Sequence, residues 1–294
     1  MLAAFDEQMR RRPVAGPGMR VEAEDRQTRT VGTDGSWSAV AWSDLTETDA
    51  DEVIAAEVAR ASGSLEWKLY SHDRPADLPD RLRAAGLRPE PVETLLVAEI
   101  ADLDLPVAAP DGVRLAVVDD PAGVRTMLRV HDAVFGPGTT HPSVAEAVRT
   151  ALRLRPRPIE AVVAWAGEEP VSAGRVEFHE GTDFASLWGG GTLPAWRGRG
   201  VFRALVAHRA LLARDRGSGT SRSTHCPPAG RSSSAWASTR WRRPRPGCTS
   251  PTRRDRPWPQ PTFVGRGGPI SRSMMRRSPG QASSRMLRGI CRAA

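Results

Sequence analysis

Residues 189–217 read GGGTLPAWRGRGVFRALVAHRALLARDRG. Three glycines and a Thr-Leu-Pro close an apolar run. Arg197-Gly198-Arg199-Gly200 makes a turn, and residues 201–216 repeat apolar positions at helical spacing. A glycine turn that feeds a helix presents backbone N–H groups at the positive end of the helix dipole. With arginine charge beside it, such a turn suits a phosphate.

Upstream, the pattern predicts a strand over 113–118 and a helix over 120–135. A second helix follows over 144–152, with Pro142 at its start. Strands are expected over 159–166, 171–178 and 184–193, with a hairpin turn at Gly167-Glu168-Glu169-Pro170. The order is strand, two helices, antiparallel strands, phosphate-type turn, long helix. With Arg197-Gly198-Arg199-Gly200-Val201-Phe202 in that place and Leu193-Pro194 before it, residues 112–217 resemble the GNAT superfamily of acyl-CoA-dependent N-acyltransferases. Those residues stand where that family has its Gln/Arg-x-x-Gly-x-Gly/Ala pyrophosphate loop. Phe202 departs from the pattern, which usually has a small residue there. Its ring either crowds the pantetheine or faces the core.

The resemblance implies acetyl-CoA as co-substrate and a mixed, mostly antiparallel α/β (α+β) sheet flanked by helices. N–H groups of Arg197, Gly198, Arg199, Gly200, Val201 and Phe202 would hold the pyrophosphate, helped by the charges of Arg197 and Arg199. Backbone near Thr192 and Leu193 would bind the pantetheine and polarise the thioester carbonyl. Gly189 to Gly191 would leave room for the acyl group or form a flexible strand end. A carboxylate working through water would deprotonate the amine. Glu177, Glu180 and Asp183 are the candidates, and Glu177 is preferred because it lies on a strand. The acceptor is a small-molecule or peptide amine, and a homodimer is open. No metal is implied.

The first third reads strand, helix, strand, helix, strand over 36–42, 49–61, 65–70, 76–86 and 92–100, after a ragged lead-in at 1–20. It is a smaller α/β unit, over residues 1–105, which would be a degenerate GNAT-like half without the Arg/Gly loop. Residues 102–110, with two prolines, read as a linker. His72 beside Asp73 reads as a polar loop, and His131 as a helix-surface or core-edge residue. Trp37, Trp42 and Trp67 read as core or interface aromatics.

From Ser218 the chain changes character. Residues 218–294 hold sixteen arginines, ten prolines, thirteen serines and one acid, Asp255. The tail therefore carries +15 and the rest −7 of a total +8. This composition implies a structureless basic tail. The tail holds all three cysteines (Cys226, Cys248, Cys291), at spacings that fit neither a zinc site nor a disulfide framework. Read one nucleotide earlier, with first bases chosen within codon wobble, residues 218–241 (SGTSRSTHCPPAGRSSSAWASTRW) can encode LGYLQVDALPASRPILERLGFDAV. That string reads as a strand and then a helix, which is what the family places after the long helix. A frameshift near Gly217 would make the tail non-native. With no transmembrane-length apolar run and no signal-peptide core, the chain is expected in the cytoplasm. Two other functions are a catalytically dead acyl-CoA binder and a nucleic-acid binder working through the arginines. The acidic body and the lack of a reading module weigh against specific nucleic-acid recognition.

Overall fold

A computed structural model of the chain describes residues 1–16, 18–138, 140, 142–217, 220–223 and 233–243. The N-terminal segment is ordered. Helix α1 (Leu2–Phe5) runs directly into π-type turns over Asp6–Arg11. Phe5 and Met9 pack with Tyr70, Leu95, Val97 and Phe184. Arg10, 3% exposed, grips Asp73 through both Nη atoms at 2.8 and 2.7 Å and lies 4.0 Å over the Tyr70 ring. His72 Nε2 bonds Asp6 at 2.8 Å. The His72-Asp73 pair is thus the fastening point of a segment that the sequence presented as a ragged lead-in.

Strands β1 (Met19–Ala23) and β2 (Gln27–Gly32) were also not legible, because β2 buries all six residues while Thr28, Arg29 and Thr30 carry polar groups. Helix α2 (Ala50–Arg60) supplies the reason. Glu57, fully buried, accepts from Gln27 Nε2 at 2.8 Å and pairs with Arg29 at 3.4 Å. Paired charges occupy positions where an apolar period would have signalled a strand. The rest follows expectation: β3 (Trp37–Ser43), α2 (Ala50–Arg60), β4 (Ser64–Tyr70), α3 (Leu78–Ala84) and β6 (Glu93–Glu99), with an additional two-residue β5 (Arg88–Pro89) that the pattern did not announce. Trp67 is fully buried in this core.

Leu103 to Pro110 carry no helix or strand. Then come β7 (Val113–Val117), α4 (Pro121–Phe135), α5 (Pro142–Ala151), β8 (Ile159–Ala166), β9 (Glu169–Phe178), β10 (Phe184–Thr192) and α6 (Val201–Asp215). Asp120 caps α4 by accepting from Gly123 N at 2.6 Å. Alternation along β8, and a register shift at Val171 of β9, set the layers. Ala161, Val163 and Ala173 face α4 and α5, whereas Ala164 and Val171 face Val201 of α6. The two helical layers therefore lie on opposite faces of the sheet.

Two segments beyond Ser218 form strands, contrary to the structureless reading of the whole tail. β11 (Thr220–Ser223) lies parallel to β10 and antiparallel to β6. β12 (Ser233–Arg243) lies antiparallel between β4 and β6 and brings Trp241, 3% exposed, into the core with Trp67. Backbone pairing sites left by their neighbours impose extended structure there, whatever the composition. The remaining residues of 218–294 lie outside the described residues. The result is one twelve-stranded sheet, ordered β1-β2-β3-β4-β12-β6-β11-β10-β9-β8-β7, with β5 paired to β12. Among the described residues no helix is long and apolar enough to cross a membrane.

Candidate functional site

At the start of α6, Gly198 and Gly200 take φ of +73° and +88°, values that L side chains adopt only at a cost. Gly200 is the N-cap and offers no side chain, so the N–H groups of Val201, Phe202 and Arg203 have no side-chain partner. The outer side of the turn is open. A Cβ on Gly198 would meet nothing within 4 Å, and on Gly200 only Pro110 Cγ at 3.8 Å. Arg197 folds back so that Nε donates to Thr192 O at 3.1 Å, and the Arg199 guanidinium stands 4.9 Å over the Trp196 ring. Donors and positive charge thus lie together on an open side of the turn. Val201 itself is 1% exposed and contributes only backbone there.

The strand that leads to the turn is opened along one edge. β11 pairs with Phe184 to Leu187 of β10, so among the described residues Gly189 to Thr192 have no paired strand on that side. Successive N–H groups along a strand point to opposite edges. Leu193 N is bonded to Val171 O at 2.9 Å, which leaves the Thr192 N–H on the open edge. Thr192 therefore suits a ligand, whereas Leu193 does not. Its carbonyl also accepts from Trp196 N at 2.9 Å, so both of its backbone groups are taken.

β10 carries a bulge. Trp188 pairs with Arg175 and Gly191 with Ala173, so Gly189 and Gly190 oppose Gly174 alone, and Gly189 has φ +56°. The glycines do not leave room for an acyl group, because protein fills the space on both faces. A Cβ on Gly189 would meet His131 Cε1 at 2.8 Å, on Gly190 Arg209 Nη2 at 2.9 Å, and on Gly191 Val134 Cγ1 at 2.8 Å. Phe202 resolves in the same way. Its ring covers Gly190 from the α6 side, with Cε2 at 3.0 Å from such a Cβ, and packs with Leu187 and Val206. It faces the core.

On the α4 face Arg175 Nε bonds Glu177 Oε1 at 2.7 Å, and the Glu177 side chain stays 25% exposed. His131, 1% exposed, is not a surface residue. Burial, and then the charge of Arg175, holds its pKa down at about 4. Glu180 and Asp183 lie in the turn before β10, where Asp183 bonds Gln8 of the N-terminal segment at 2.8 Å. Neither is brought to the open edge.

No family model and no curated protein matches this sequence. Solved structures do match. A GCN5-related N-acetyltransferase from Kribbella flavida is similar at TM-score 0.50 and 18% identity, over 84% of this chain and 93% of that one. A functionally unknown conserved protein from Staphylococcus epidermidis is similar at TM-score 0.52 and 13% identity, over 82% and 97%. The fold is that of the GCN5-related N-acetyltransferases. Within the GNAT fold the phosphate-type turn lies between β10 and α6, and the open edge lies between β10 and β11.

The first half repeats the GNAT strand–helix–parallel-strand arrangement as β3, α2 and β4, with Val40 paired to Trp67. Its turn reads Asp44-Leu45-Thr46-Glu47-Thr48-Asp49, and no residue in it has positive φ. Asp49 Oδ1 accepts from Thr46 N at 2.7 Å. An acidic turn folded on its own side chain repels phosphate, unlike the glycine-arginine turn before α6.

Proposed function

We propose that the chain is an acyl-CoA-dependent N-acyltransferase that moves an acetyl group from acetyl-CoA to a primary amine by direct attack. The observation that carries this reading is the junction of the uncapped, arginine-flanked start of α6 with the unpaired edge of β10. The pyrophosphate would take the N–H groups of Gly198 to Phe202 and the charges of Arg197 and Arg199. The pantetheine would lie along the open edge, within reach of the Thr192 N–H. The amine nitrogen forms the new C–N bond, the C–S bond breaks, and the thiolate leaves and takes up a proton.

The amine must first lose a proton. Glu177 is assigned this role through water because its carboxylate is partly exposed and held in place by Arg175. His131 is too deeply buried for water to reach it. The acceptor is a small-molecule or peptide amine. Isothermal titration of the full chain with coenzyme A tests the binding step, and thiol release over a panel of amines tests turnover. Arg199→Glu should weaken coenzyme A binding about 10- to 100-fold, the weight of a charge-assisted contact turned repulsive. Glu177→Gln should lower kcat about 10²- to 10⁴-fold and leave coenzyme A affinity unchanged. No heat of binding with the unaltered chain would refute the proposal.

One observation bears on the second reading, acyl-CoA binding without turnover. β11 is only four residues long and reads Thr-Ser-Arg-Ser, yet it is paired on both edges inside the sheet. Central strands of a sheet covered by helices are ordinarily apolar. In the earlier reading frame the same four positions become Tyr-Leu-Gln-Val, which favours a frameshift near Gly217. DNA sequencing across codons 210–245, with the intact mass of the native protein, decides it. A mass that fits the frame as given would rule the frameshift out and make binding the function to assay.

A further inference from the structure

Arg209 is the most deeply buried arginine among the described residues, and nothing in the mechanism above uses it. It lies in the third turn of α6, is 1% exposed, and among the described residues bonds no carboxylate. Burying an ion without a counter-charge is costly. Here the charge of Arg175 adds to the cost, and burial and that charge together press the Arg209 pKa down to about 9. Carbonyl oxygens meet the guanidinium instead. Nε donates to Leu205 O at 3.2 Å, and Nη1 donates to Arg175 O at 3.1 Å and Trp188 O at 3.3 Å.

Those last two carbonyls mark where the bulge begins, since Trp188 and Arg175 are the last regular pair before it. The cradle is shaped for the guanidinium. A Cβ on Gly174 would stand 2.6 Å from Nη1, and one on Gly190 would stand 2.9 Å from Nη2. Nη1 alone bridges the two strands while Nε ties the guanidinium to α6, a rigid three-point arrangement that a flexible ammonium does not reproduce. The bulge puts one extra residue into β10, so the N–H groups beyond it point out of step with those before it. It thereby sets which of them reach the open edge.

We propose that Arg209 is a positioning residue for the thioester end of acyl-CoA: by bridging the Trp188 and Arg175 carbonyls from inside α6, it holds β10 in the bulged register that sends the Thr192 N–H to the open edge. This rests on the acyl-CoA reading for the ligand, but not for the bulge itself. Arg209 touches neither substrate nor reacting atoms and acts through the strand.

The test uses the full chain, unaltered and as Arg209→Met, Arg209→Lys and Gly190→Ala. Two readouts are taken: amide hydrogen exchange over residues 186–193, and titration with acetyl-CoA and with free coenzyme A. Methionine fills the channel without a charge, and lysine keeps the charge but loses the fork. Both variants should change exchange across 186–193 at least tenfold. Both should cut the preference for acetyl-CoA over coenzyme A by tenfold or more, with coenzyme A affinity kept within twofold because the α6 turn is untouched. Gly190→Ala, which pushes on Nη2, should do the same to a smaller degree.

Unchanged exchange and an unchanged acetyl-CoA to coenzyme A ratio in Arg209→Met would overturn the proposal. So would parallel loss of both affinities with a fall in melting temperature, which would mark Arg209 as merely structural. If the unaltered chain binds neither ligand, the acyl-CoA reading fails, and the exchange data alone judge whether Arg209 holds the bulge.

Discussion

His131 shows how one buried side chain couples to acidity. Its imidazole sits against Gly189 with Arg175, Arg209 and Asp132 as the charged groups around it, and its pKa lies at about 4. The unfolded chain takes up that proton near 6.5, whereas the folded chain resists until about 4. Stability from this residue is therefore complete above pH 6.5 and falls as pH drops toward 4. The loss is about 2 kcal/mol at pH 5 and about 3 kcal/mol below pH 4. His131→Gln should flatten most of that slope in urea unfolding at pH 7 and pH 5, with His208, also held down by burial, supplying the remainder. In the sequence His131 looked like a helix-edge residue, because its neighbours on α4 are apolar at helical spacing. Only the glycines at 189 and 190, apart by some sixty residues in sequence, show that the ring and Arg209 need space on either face of β10. Glycine was legible as permission for close approach, but the sequence could not say what approaches.

At the scale of the element, the start of α6 was the most legible feature. Two glycines that alternate with two arginines before an apolar helical period leave few other structures. The cost of that turn is measurable. Gly200→Ala forces a Cβ into φ near +88° and should destabilise the protein by about 1–2 kcal/mol, read by thermal unfolding, even though space is open around it. What could not be read were β1 and β2, whose buried faces carry Arg29, Thr28 and Gln27. Sequence periodicity reports apolar burial, and here burial is reached by pairing with Glu57 from a helix that comes later in the chain. Glu57→Gln should therefore leave Arg29 with Glu22, at 3.4 Å, as its remaining carboxylate partner and cost about 1–3 kcal/mol in denaturant unfolding.

On the scale of the whole molecule, the two halves share one sheet through β6, which pairs with both β11 and β12. The order of elements within each half was readable from local patterns. The joining was not, since it depends on strands formed by residues whose composition argues against structure. Trp241 gives this a sharp test. It is paired with Trp67, stacked under Arg83 at 5.3 Å and buried in the first half's core. Trp241→Ala should cost about 3–5 kcal/mol. Ending the chain at Gly217 removes β11 and β12 and leaves facing edges of β4, β6 and β10 unpaired. That truncation should elute as soluble aggregates in size-exclusion chromatography where the full chain does not.

The place of β12 also sets a timetable. β4 ends at Tyr70 and its neighbour in the sheet begins at Ser233. On a ribosome adding about 5–20 residues per second, the first half emerges with a slot in its sheet and keeps it for about ten to thirty seconds before the strand that fills it is made. For that interval its hydrophobic floor, Trp67 included, faces the cell, and a chaperone that recognises unpaired strand edges has its longest opportunity there.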